Sequence, residues 1–69
     1  MKIRMSIHAQ IRSIERGIDV DTIKRVIRTP DSSENQFEGR VKAVKIIDDR
    51  SITVIYTIDK NVFVIITTI

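Results

Sequence analysis

The chain has one histidine, no cysteine and twelve Lys+Arg. Any acid–base chemistry near neutral pH therefore centres on His8, the one side chain that exchanges a proton there without help from its surroundings. Arg12 and Arg16 follow it at i+4 and i+8. On a helix they lie at about 40° and 80° from His8, with Glu15 at about −20°. A proton carrier beside two guanidiniums is a minimal set for RNA cleavage. The imidazole moves the proton, and the forked cations bind phosphate and stabilise the charge that gathers on phosphorus. The same spacing describes a solvated helix face with Glu15 paired to Arg12 or Arg16, and on spacing alone that plainer reading is the stronger.

Other chemistries lack their residues. There is no thiol nucleophile, and Ser6 and Ser13 stand in no Ser-His-Asp arrangement. One His and scattered carboxylates give no metal-ligand spacing, so no metal and no cofactor is expected. Two glycines are too few for a phosphate-cradling loop. Lys24, Arg25 and Arg28 form a basic stripe that suits phosphate-backbone contact, or simply the C-terminal end of a helix dipole. Arg40 and Lys42 extend the candidate nucleic-acid surface. Both would share one strand face, with Lys45 on the other.

The elements that must position these groups follow from period and punctuation. Lys2 to Met5 alternates like a short strand. Ser6 is an N-cap, and Ile7, Ile11 and Ile14 recur at helical spacing, an apolar stripe expected to be buried, with His8, Arg12 and Arg16 on its flank. Gly17 ends this helix, Asp19 caps a second through Val20, Ile23, Val26 and Ile27, and Pro30 closes it. Thr29 to Glu34 reads as a linker. From Gln36 the period is two: one long or two short strands to Ile47, a turn at Asp48–Arg50, a strand from Ser51 to Ile58, a turn at Asp59–Asn61, and a last strand to Ile69. The fold class is α+β, in the order β-α-α-β-β-β, with two helices on one face of an antiparallel sheet.

Sixty-nine residues make one domain, 1–69, too short for a Rossmann unit, a barrel or a second domain. A chain this short buries only about 60% of its unfolded surface, so its core is marginal. With 42% hydrophobic residues it is not disordered. Fifteen Ile, seven Val and no Leu favour strands. The last two strands are apolar on both faces, and the helices can cover only one, so a homodimer or another partner is expected on the other. The net charge of +3 hides an asymmetry. Residues 1–30 carry seven cations and three acids, while residues 31–69 carry five and six. No apolar run is long enough to span a membrane, and no leader-like apolar segment follows the basic start, so the expected location is cytoplasmic.

The segment His8-Ala9-Gln10-Ile11-Arg12-Ser13-Ile14-Glu15-Arg16-Gly17-Ile18 resembles the opening signature of the domain of unknown function 4258 family. The likeness continues through Pro30, Gly39-Arg40, the Tyr-bearing strand Ile52 to Thr57 and the end strand Ile65 to Ile69. Ile69 stands where the family strand closes on an aromatic. The resemblance implies the fold of RelE/barnase-like toxin ribonucleases and a metal-independent, toxin-type endoribonuclease held in check by an antitoxin protein. It implies His8 as general acid/base, Arg12 and Arg16 as phosphate ligands, and hydroxyls from Tyr56 and Thr67. Two other readings stand beside it. One is a non-catalytic interaction module that binds itself or a protein partner through the open sheet face. The other is a basic nucleic-acid binder without chemistry.

Overall fold

The computed structural model describes all residues, 1–69. Strand β1, Lys2–Met5, gives way at Ser6 to helix α1, Ile7–Arg16. Ser6 has extended backbone, its Oγ accepts from the Ala9 N–H, and the same hydroxyl donates to the Ile66 carbonyl at 3.0 Å. One side chain thus caps the helix and ties it to the sheet. Gly17 (φ 64°) ends α1: its N–H donates to Ile14 and that of Ile18 to Ser13, the paired closure that satisfies the last carbonyls. Asp19 caps helix α2, Val20–Arg28, by accepting from the Thr22 N–H at 2.8 Å.

Four strands follow: β2, Ser32–Asn35; β3, Val41–Ile47; β4, Arg50–Asp59; and β5, Val62–Thr68. A 3-10 turn at Phe37–Gly39 joins β2 to β3. Two-residue loops join the rest, with positive φ at Asp48 and Asp49 and at Lys60 and Asn61, the left-handed pair whose twist suits a tight hairpin. The sheet order is β1-β5-β4-β3-β2. The β2–β3–β4–β5 meander is antiparallel and β1 joins β5 in parallel, so the sheet is mixed.

The segment expected as a linker instead contains an edge strand. Asp31 anchors it, its N–H donating to Val44 and its carboxylate accepting from the Ile46 N–H. All four residues of β2 are exposed. A polar strand at an edge shows no alternation because neither of its faces is buried.

Both helices lie on one face. Ile18, Ile23, Val26 and Ile27 pack on Ala43, Ile52, Val54 and Ile65. Only eleven of the 69 residues are buried, so the core is as small as the length implies. The other face carries Val44 and Ile46 of β3, Ile55 of β4 and Val62 and Val64 of β5, and no helix covers it.

Helix α1 is rotated from its expected setting. Its buried residues are Ala9 and Ser13, and Ile7, Ile11 and Ile14 are 77%, 53% and 81% exposed. Ala9 and Ser13 sit at about 100° and 140° from His8, almost opposite the isoleucine stripe at about −95°. Small side chains let the helix lie close on β5, and the Ser6 hydroxyl fixes its rotation there. The Ser13 and Thr68 hydroxyls meet at 3.5 Å beneath it. Backbone proximity and polar anchoring override the hydrophobic period.

Candidate functional site

His8, Arg12 and Arg16 are all exposed along one flank of α1. This flank runs between the outward isoleucines and the buried Ala9/Ser13 line. The three ion pairs of the structure, Arg4–Asp59, Arg40–Glu38 and Lys45–Asp31, involve none of them. Glu15 on the same flank is also without an ion pair, so the pairing to Arg12 or Arg16 that spacing allows is not made. Arg16 is held through its backbone: the Arg50 guanidinium donates to the Arg16 carbonyl, fixing the end of α1 to the start of β4. The flank therefore presents one imidazole and two guanidiniums free to meet an anion.

Tyr56 and Thr67 fall on opposite sides of the sheet. Tyr56 pairs with Ile65 on the helix side, where its ring packs against Phe63 at 5.5 Å between centroids. Thr67 pairs with Ile55, and its neighbour Thr68 is the residue that faces Ser13 of α1. The register shift between Ile55 and Tyr56 leaves Ile66 as an extra residue in β5. That bulge turns Thr67 to the open face, where it does not join His8. The hydroxyl beside α1 is that of Thr68, fully buried.

The remaining basic residues also divide. Lys24, Arg25 and Arg28, with Asp21 and Thr29, line a shallow depression of about 510 Å³ on α2, and none of its cations is ion-paired. Lys42 lies across the sheet on the open face, opposite Glu34 and Ile55. Arg40 sits at the end of the Phe37–Gly39 turn, 3.9 Å from Glu38. Lys45 faces the helices and donates to the Thr29 carbonyl at 2.7 Å. The helical layer thus holds His8, Arg12, Arg16, Lys24, Arg25 and Arg28, and Arg40 and Lys42 belong to other surfaces.

One prominent residue escapes sequence reasoning. Phe37 is 92% exposed and, with Glu34, Asn35, Gln36 and Arg40, lines the largest depression, about 610 Å³. A lone Phe within a polar run is the only signal for it. Asp19 has a lowered carboxyl pKa: the Thr22 side chain and N–H bond to it and hold it below the usual range. No group of three or more His, Asp or Glu stands together to hold a metal. No helix is long and apolar enough to cross a membrane.

Residues 5–69 match the family model described as Domain of unknown function (DUF4258). No curated protein and no solved structure matches the chain.

Proposed function

The chain belongs to the DUF4258 family, and from that premise we propose that it is a small, metal-independent, toxin-type endoribonuclease that meets RNA with its helical layer. The observation that carries this reading is the set of unpaired cations on that layer: Arg12 and Arg16 beside His8 on α1, and Lys24, Arg25 and Arg28 on α2. The helix pair on a sheet is the arrangement that the resemblance to RelE/barnase-like toxins implies, which supports the reading further.

RNA lies along the cations by phosphate attraction. Neutral His8 takes the proton of a 2′-hydroxyl, and the freed oxygen attacks the adjacent phosphorus. Arg12 and Arg16 hold the phosphate oxygens as negative charge builds on them. The 5′-oxygen leaves with a proton delivered through water at the open flank, and a 2′,3′-cyclic phosphate remains. Tyr56 is the sheet hydroxyl on the same side. A toxin of this kind works in the cytoplasm and is neutralised there by a protein antitoxin.

Purified wild type is expected to cut single-stranded RNA to cyclic-phosphate products without added metal. His8→Ala and Arg12→Ala abolish cleavage with an unchanged circular dichroism spectrum. Equal cutting by wild type and both variants overturns the reading. A second reading, a non-catalytic module that binds a protein partner, draws on one observation: the bare β-branched face around Val44, Ile55 and Val64. Intact RNA together with a stable complex lost on Ile55→Lys would favour it.

A further inference from the structure

Three isoleucines stand on the outward face of α1 at i, i+4 and i+7, and they are among the most exposed large apolar residues of the chain. Soluble surfaces rarely leave such a stripe uncovered. The residues at its rim indicate what covers it. Glu15 and His8 border the stripe on the same side, about 40° and 60° from Ile11, one near the C-terminal end of the helix and one near the N-terminal end. Neither has an ion pair within the chain.

We propose that a second copy of this chain docks on the stripe, α1 against α1, antiparallel about a two-fold axis. This inference stands apart from the ribonuclease reading, since it uses no property of RNA. The stripe is its own complement. Its midpoint falls between Gln10 and Ile11, so an antiparallel copy sets Ile7 against Ile14 twice and the two Ile11 side chains near the axis. A two-fold axis perpendicular to the helices brings like flanks together. Glu15 of each copy then stands within about two residues, roughly 3 Å of helix rise, of the other copy's His8. Two acid–imidazole pairs close the rim. A parallel pair would set this flank against the Gln10 side and leave both charges unmatched. The antiparallel arrangement also opposes the two helix dipoles. Arg12 and Arg16 turn away from the seam and stay open.

The test is oligomeric state by sedimentation velocity on the full chain, with circular dichroism as the control of folding. Wild type is expected to form a dimer. Ile11→Asp and the more exposed Ile14→Asp are each expected to be folded monomers, weakened roughly 100-fold or more in association, as for a central apolar contact. The decisive pair is Glu15→Arg and His8→Glu. His8→Glu alone is expected to be monomeric, because two carboxylates meet at each rim, and Glu15→Arg alone is expected to associate more weakly than wild type, because both acid–imidazole pairs are lost. Mixed, they form a heterodimer, since Arg at position 15 faces Glu at position 8 and Glu15 faces His8. A wild type that stays monomeric at its highest concentration overturns the proposal. So does a dimer indifferent to Ile14→Asp, which would use another surface such as the open sheet face. Two charge variants that fail to pair when mixed would overturn the antiparallel seam.

Discussion

The rotation of α1 makes a sharp prediction about stability, because two substitutions on that helix should act opposite to hydrophobic intuition. Ile14 is 81% exposed, so only about a fifth of it has left water. Complete burial of an isoleucine is worth about 1.5–3 kcal/mol, so Ile14→Ala forfeits about 0.3–0.6 kcal/mol. The better helix propensity of Ala returns a few tenths, and the net change is about zero. Ala9 is fully buried against β5. Ala9→Leu forces three added carbons into a filled contact, at a cost of about 1–3 kcal/mol. In a domain of this size each kcal/mol lowers Tm by about 4–8 °C. Thermal and urea unfolding followed by circular dichroism measure both, at dilutions where the chain is monomeric. An Ile14→Ala loss above about 2 kcal/mol, the cost of truncating a truly buried isoleucine, with a neutral Ala9→Leu, would refute the rotation.

Three further outcomes follow from particular residues. Asp19 has a lowered carboxyl pKa in the folded chain, so its contribution is present above the usual carboxylate range and is lost as pH falls through the folded value. Asp19→Asn keeps a capping oxygen without titrating, so melts taken across the acid range should show a shallower decline than wild type; parallel curves would count against the cap's charge. Gly17 has φ 64°, and nothing lies within 4 Å of an added Cβ, so Gly17→Ala should cost only the left-handed penalty, about 1–2 kcal/mol in unfolding experiments. If RNA lies on the helical layer, Lys24→Ala and Arg28→Ala should each reduce the salt slope of RNA binding by about 0.7, and Lys42→Ala on the far sheet face should leave it unchanged.

What could be read from the sequence was local. Ser6, Gly17, Asp19 and Pro30 marked the helix ends because capping chemistry acts within a few residues. The turns at Asp48–Arg50 and Asp59–Asn61 were marked the same way, one residue too long each, since Arg50 and Asp59 belong to β4 and the loops are Asp48-Asp49 and Lys60-Asn61. The shared flank of His8, Arg12 and Arg16 needed only the helical period. The features that were not legible depend on distant partners. The rotation of α1 is set by Ser6 reaching Ile66 and Ser13 reaching Thr68. Strand β2 forms because Asp31 pins it to β3. Plain alternation from Phe63 and Ile65 would put Thr67 beside Tyr56, and one bulge residue, Ile66, reverses it. A bulge needs the register of two strands, which one sequence pattern does not carry.

The two proposals meet at His8, and that makes them jointly testable. In the α1 pair each His8 stands beside the partner's Glu15, and Arg12 and Arg16 remain open. A dimer would therefore keep its phosphate ligands exposed while withdrawing its proton carrier. Cleavage per chain should then rise on dilution, following the monomer fraction by mass action. RNA affinity, carried by Arg12, Arg16 and the α2 cations, should hardly change. Ile14→Asp, monomeric throughout, should cut at the diluted wild-type rate at every concentration. The measurement is cyclic-phosphate release per chain over a dilution series that spans the sedimentation midpoint. A rate per chain that stays constant through that midpoint would separate the seam from the chemistry and place the reacting phosphate away from the rim that Glu15 and His8 share.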